Sequence, residues 1–593
     1  MKNTWNLDAL YKGFDSPELQ TDLSAIDRIK EKYLKWIEDL SDKSIDRTKL
    51  IEIFLNYLIE DTTRLRRLQA FGHLSFTVDS RSEKATSLVS KIQSKQSELT
   101  EPMVVFKTLL KEVDLDELCS RSELIATHRF FLEEALASTK HMLSLNEEVL
   151  ISKLKLTGSS AWETLQSKVS SQLTGTVVID NKIENWPIMK IRNLAFSKDP
   201  KMRRLGYESE LIAYKKHDEI SAAALNGIKG EVLTVSKLRG FDSPLDETLW
   251  NSRMNREILS AMIGTMEDYL PEFRRYVLLK AKLIGHQGPM PFYDLFAPVS
   301  DLDQEFTIDE AKAFIIKYFG DFSEELSSFA RKSFDNDWID FEPREGKVGG
   351  AFCSNIPSIK ESRILTNFTG KLKNVLTLAH ELGHGFHGDR IMGESILNTT
   401  YPMPLAETAS IFCETIVRNA VLKDANEDLA LSILENSLQG ATGVVVDILS
   451  RFYFESEVFE TRKDHPLSVN ELNNLMLDSQ KKAYGDCLDP EYLHPYMWLN
   501  KTHYYYASRN FYNFPYAFGL LFARGLYAIY LEKGDSFIPE YDALLKATGK
   551  MNIYDVCKLV GIDPTQKSFW KASLEQIKSD VDAFEAIVTT KTQ

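Results

Sequence analysis

The chain has 593 residues, is 43% hydrophobic and 26% charged, and carries a formal charge of −15 at pH 7. That length points to more than one domain or lobe, and the composition is that of a soluble globular protein rather than a disordered or fibrous one. The acidic balance, with no basic tract interleaved with aromatics, speaks against nucleic acid as a partner.

Helical periodicity dominates along the chain and is clearest in five N-terminal stretches. Ile26 to Leu40, Leu50 to Ala70, Ser87 to Val113, Leu124 to Leu145 and Met202 to Val235 repeat their apolar residues at a helical spacing. Few segments alternate with period two, and neither a repeat nor a low-complexity run interrupts the pattern. Met1 to Tyr11 is polar and lacks the apolar run of a signal peptide. Cys119, Cys353, Cys413, Cys487 and Cys557 are scattered, odd in number and without C-x-x-C spacing, which suits a reducing compartment. A cytoplasmic location is therefore expected.

Pro289, Pro291 and Pro298 mark a loop. Gly346 to Ala351 is glycine-rich and reads either as a flap over substrate or as a surface turn. It lacks the G-K-[ST] ending of a phosphate loop. Ser362 to Phe368 reads as a short strand, either a structural one or an edge to which an extended peptide adds.

The next segment carries the chemistry. His380-Glu381-Leu382-Gly383-His384 is an H-E-x-x-H pentapeptide in a helical context. Val375, Leu378, Ala379, Leu382 and Phe386 gather on one helical face, and His380, His384 and His387 on the opposite one. Two histidines four apart on one face can bind a single Zn²⁺, and Glu381 can act as general base toward a water held by it. Core histidines satisfied by hydrogen bonds are the bland alternative, weakened because the histidines avoid the apolar stripe. Thr369 is expected to cap this helix and Gly388 to close it.

A catalytic zinc site commonly takes three protein ligands. The metzincin continuation fails, since His387 and Arg390 stand where its glycine and last histidine belong. Pro404 to Glu414 reads as a following helix that starts with proline. Glu407 and Glu414 lie seven apart on one of its faces. Glu407 is the preferred third ligand, with Glu414 as an outer acceptor that orients a ligating histidine. His387 competes, but a third ligand from the same helix is awkward for a tetrahedral site.

Trp498 to Tyr516 concentrates His503, Tyr504, Tyr505, Tyr506, Tyr512 and Tyr516. These are candidate hydrogen-bond donors to an oxyanion, or else an aromatic packing patch. Pro515 to Leu531 is the most apolar stretch, but it contains Arg524 and is too short and aromatic for a membrane span.

Asn367 to Gly370, Thr377 to His384 and Leu405 to Ser410 resemble signature blocks of the thimet-oligopeptidase-like zinc metallopeptidases, and within them the oligoendopeptidase F branch. Trp5 to Asp8, Thr157 to Trp162, His503 to Tyr505 and Tyr516 to Gly519 resemble the same branch, so the resemblance spans nearly the whole chain. It implies a mainly α fold: two helical lobes enclosing a deep substrate channel, zincin-type active-site helices and a small edge β-sheet. It places an N-terminal lobe at 1–200 and the metallopeptidase region at 201–593.

The resemblance further implies a cytoplasmic enzyme that cuts short peptides internally. One Zn²⁺ per chain would be held by His380, His384 and Glu407, with Glu381 as base. His503, Tyr512 and Tyr516 would serve the transition state, although the histidine-to-tyrosine spacing is longer here than in the thimet branch. Two alternatives stand beside this. A metallocarboxypeptidase or dipeptidyl carboxypeptidase on the same scaffold would need a cationic anchor for the substrate C-terminus, which no pattern identifies. An inert peptide-binding protein would have no need of Glu381.

Overall fold

A computed structural model describes residues 3–179, 181–300 and 305–591. It is 71% helix, with two small sheets, so the fold is mainly α. The chain divides into two compact units, each assembled from three separate segments. The first takes residues 1–140, 304–421 and 529–561; the second takes 141–303, 422–528 and 562–593. Residue 200, the boundary expected from sequence, lies inside the second unit, because helices distant in sequence pack together there.

The first unit begins with helices Pro17–Ile26, Ile29–Asp39 and Arg47–Val78. The periodic stretch Ser87 to Val113 is two helices, Glu83–Ser97 and Thr100–Leu110. A break of two residues barely disturbs a 3.6-residue pattern, so periodicity alone does not reveal it. These helices enclose Trp36, Phe54 and Phe106, with the rings of Phe54 and Phe106 stacked at 4.0 Å. The same core takes in Ile356 and Leu365 from the sheet, which fixes the sheet against the N-terminal helices.

That sheet decides between the two readings of the strand within Ser362 to Phe368. Its order is Ile339–Asp340, Glu361–Leu365, Phe352–Ile356. Glu361–Leu365 runs parallel to the first strand (Ile339 opposite Ile364) and antiparallel to the third (Ser354 opposite Arg363). Glu361–Leu365 is thus a structural strand in the middle of the sheet, with both of its sides paired. Phe352–Ile356 is an outer strand, and the glycine-rich loop leads into it. That loop is anchored: Ser80 N donates to Gly346 O at 2.9 Å, Val348 N to Thr77 O at 2.9 Å, and Asn367 Nδ2 to Gly350 O at 2.8 Å.

The second unit is built on helices Pro200–Tyr214, Asp218–Leu238, Ile448–Arg462 and Lys567–Lys591, among others. The periodic run Met202 to Val235 again proves to be two helices, interrupted at His217 (φ −130°, ψ 4°). A hairpin of Thr174–Ile179 and Lys182–Pro187 adds a second sheet. Two helical stretches, Glu427–Arg462 and Phe514–Ala547, are apolar and long enough to cross a membrane. Their most apolar windows are 50% and 67% buried within the protein, as core helices are. Arg524 in the latter is 5% exposed and pairs with Asp580 at 3.1 Å.

Candidate active site

The candidate site lies in the first unit. Helix Leu372–Ile391 packs through Val375, Leu378, Ala379, Leu382 and Phe386, all at most 4% exposed. Its start differs from expectation. Asn374 Oδ1 accepts from Thr369 N, Thr369 Oγ1 and Lys371 N, so Asn374 folds back over the helix start and Thr369 is not the cap. Gly388 is not a helix end either. It stays within the helix, and its missing side chain leaves room for Asn355; a Cβ there would come within 2.2 Å of the Asn355 side chain. Asn355 Nδ2 in turn donates to His384 O at 2.9 Å, tying the outer strand to this helix.

Glu407 comes from the next segment, but not from within a helix. Met403–Ala406 is one short helical turn, Glu407 (φ −89°, ψ 5°) breaks it, and Thr408–Asp424 is the following helix. The break turns the carboxylate back toward the histidines, where Ser410 Oγ donates to Oε2 at 2.7 Å. Close backbone approach makes this possible. A Cβ on Gly383 would lie 2.5 Å from Ala409 O, so only glycine allows the two segments to touch there.

The donors converge. Glu407 Oε2 lies 3.2 Å from His380 Nε2 and 3.4 Å from His384 Nε2. Ligand atoms at tetrahedral corners about 2.0–2.1 Å from a zinc ion stand about 3.3 Å apart, so the spacing and the nitrogen and oxygen chemistry both fit that ion. Among the described residues, these three form the metal-competent cluster. Glu414 Oε2 lies 3.1 Å from His380 Nδ1, on the far side of that ring. The bond assigns the proton to Nδ1 and leaves Nε2 as a donor atom for metal.

Electrostatics follow from burial and these partners. Burial works against charge on His380, but Glu407 and Glu414 outweigh it and raise its pKa to about 10. Burial likewise opposes charge on Glu407, yet His380 and His384 hold its carboxyl far below the usual range. Glu381 is 6% exposed, and burial pushes its carboxyl above the usual value.

His387, the competing ligand, stands apart. It is fully buried, its ring stacks on Tyr401 at 4.3 Å, and Nε2 meets Thr548 Oγ1 at 2.9 Å. Burial drives its pKa down to about 3.

In the second unit, His503, Tyr512 and Tyr516 form one group. The ring centroids are 5.1 Å apart for His503 and Tyr512, 5.4 Å for the two tyrosines, and 6.3 Å for His503 and Tyr516. Tyr504 and Tyr505 are 2% and 3% exposed, and Tyr504 packs on Phe454, so they serve the core. Sequence reasoning missed Asn355 and Ser410. Ser410 was available as the residue one helical turn beyond Glu407, whereas Asn355 had no sequence signal.

The sequence profile of peptidase family M3 matches residues 193–576, a span that contains the donor cluster. The chain belongs to peptidase family M3. The oligopeptidase F profile matches residues 109–174 as well. This M3 chain is 24% identical to oligopeptidase PepF of Bacillus subtilis, over 99% of its own length and 87% of the relative's. It is 26% identical to the group B oligopeptidase PepB of Streptococcus agalactiae, over 85% and 83%. Its fold resembles that of a crystal structure from Chlamydophila abortus (TM-score 0.83, 19% identity, 99% and 98% covered) and of oligoendopeptidase-F from Enterococcus faecium (0.72, 19%, 97% and 99%). As a member of family M3 it is a metallo-oligopeptidase.

Two outcomes are expected. Gly383→Ala forces the segments apart, lowering stability by about 1–3 kcal/mol and weakening retention of added zinc against a chelator. Unchanged unfolding and retention would contradict the contact.

The second concerns acid. His387 has a folded pKa below its unfolded value, so its neutral packing contributes fully above about pH 6.5 and is lost as pH falls toward 3. The stability advantage of metal-free wild type over His387→Gln should therefore shrink by roughly 1.4 kcal/mol per pH unit in that window. An advantage independent of pH would show that His387 is not buried neutral.

Proposed function

We propose that this chain is a zinc-dependent oligoendopeptidase that hydrolyses internal bonds of short peptides. The observation that carries the reading is the convergence of His380 Nε2, His384 Nε2 and Glu407 Oε2 on a point one cation can occupy, with buried Glu381 next in the chain to the first of them. His380, His384 and Glu407 would hold the ion. Bound there, zinc supplies Lewis acidity that acidifies a water and polarises the scissile carbonyl.

The remaining steps belong to the protein. Glu414 holds His380 through Nδ1 and so keeps Nε2 directed at the ion. Glu381 takes a proton from the attacking water and returns it to the leaving amine, its burial keeping bulk water from competing. His503, Tyr512 and Tyr516 furnish hydrogen-bond donors for the tetrahedral oxyanion. Edge addition of an extended peptide falls to Phe352–Ile356, since Glu361–Leu365 is paired on both sides. The relatives' names, oligopeptidase and oligoendopeptidase, support short peptides as substrates. A cytoplasmic location accords with that role.

The test uses a quenched-fluorescent peptide blocked at both ends, with mass spectrometry of the products. Internal cuts should vanish on chelation and return with zinc. Glu381→Gln should keep its zinc and lose about 10²–10⁴-fold in kcat. Cleavage that survives complete metal removal, or full turnover by zinc-loaded Glu381→Gln, would refute the mechanism. Trimming only of peptides with a free C-terminus would make the enzyme a carboxypeptidase.

A further inference from the structure

Lys229 and Glu455 form an ion pair deep in the second unit. Nζ and Oε1 are 2.7 Å apart, and the side chains are 1% and 2% exposed. Such a pair gains little over two apolar side chains of similar volume, because desolvation offsets the attraction. A positional role is the better-attested reason for burying one, and the remaining bonds show what is being positioned. Lys229 Nζ also donates to Asn510 Oδ1 at 3.0 Å, and Glu455 Oε2 accepts from Asn513 Nδ2 at 3.1 Å. The two amides bracket Phe511 and Tyr512.

The bracketed turn is strained. Phe511 sits at φ +51°, in the left-handed region that a bulky L-residue adopts only when its surroundings over-determine it. The surroundings here do so. Phe511 stacks on Phe459 at 5.6 Å, and Lys229 Nζ lies 4.7 Å over the Phe459 ring. Thr248 Oγ1 donates to Asn510 O at 3.0 Å, Asn510 Nδ2 to Ala507 O at 3.0 Å, and Phe514 N to Asn513 Oδ1 at 2.6 Å. Tyr512 follows the strained residue directly, and its ring meets those of His503 and Tyr516.

We propose that Lys229 and Glu455 are positioning residues that, through Asn510 and Asn513, lock the strained Phe511 turn and so fix the Tyr512 hydroxyl for the transition state. The proposal rests on the reading of Tyr512 as an oxyanion donor. It predicts that breaking the lock removes what Tyr512 contributes and nothing besides. Substrate affinity and metal content, set by other residues, should not move.

The experiment is a mutant cycle on the full-length zinc enzyme with the blocked fluorogenic peptide, reading kcat, KM, zinc content and thermal midpoint. Removing one oxyanion donor costs about 10²–10³ in kcat, which sets the scale for Tyr512→Phe. Lys229→Met/Glu455→Gln neutralises the pair while keeping its volume. It should lower kcat at least about tenfold, with KM within about threefold and one zinc retained. In a Tyr512→Phe background the same changes should cost nothing further, because coupled residues are not additive. Asn510→Ala/Asn513→Ala, which leaves the ion pair in place and cuts both of its links to the turn, should show the same pattern and decides the question if the Lys229/Glu455 variant does not fold.

Losses that multiply with that of Tyr512→Phe, or an unchanged kcat in folded, zinc-loaded variants, would overturn the proposal. If Tyr512→Phe by itself leaves kcat intact, the reading of Tyr512 fails and this proposal with it, a pattern distinct from multiplying losses.

Discussion

A carboxylate must come within 3.2–3.4 Å of two imidazole nitrogens carried by another segment, and the local structure of the first unit is arranged around that demand. An α-helix supplies two donors at i and i+4 without strain. The third must approach from outside, over a patch of helix that presents no side chain. Gly383 provides the patch, the backbone of Ala409 and Ser410 occupies it, and the break at Glu407 swings the carboxylate inward. Ser410 then fixes one carboxylate oxygen, and Glu414 fixes the outer nitrogen of His380.

The second unit solves a different problem with similar means. Two lysines are buried there, each paired with a glutamate: Lys229 with Glu455, and Lys280 with Glu435 at 2.7 Å. Lys280 also donates to Leu295 O at 2.8 Å and approaches Gln439 Oε1 at 2.6 Å. A buried ammonium has three donors to satisfy, so each of these lysines joins several chain segments at one point. Desolvation offsets the attraction in such a junction, so it adds little net stability over apolar packing.

The mainly helical fold and the residues of the donor cluster were legible in the sequence, and the segments that carry them were legible only in part. His380, Glu381 and His384 could be read because helical spacing alone puts the histidines on one face, away from Val375 and Leu378. Glu407 and Glu414 were legible as a pair, yet their shared helix was not there: Glu407 sits in a break, which proline at position 404 did not announce. The strand Glu361–Leu365 was visible from its composition, but whether a strand is central or at an edge depends on partners distant in sequence. Thr369 and Gly388 looked like helix ends because their residue types favour caps. Asn374 takes over the helix start, and Gly388 serves inside the helix, where it leaves room for Asn355. The locked turn at Phe511 gave no signal, since a positive φ at phenylalanine is imposed by tertiary packing.

The most direct measurement is zinc analysis combined with X-ray absorption at the zinc edge, on protein purified without added metal. The account predicts one zinc per chain surrounded by light atoms only, two of them imidazole nitrogens. Absence of stoichiometric zinc, or a sulfur neighbour at about 2.3 Å, would contradict it.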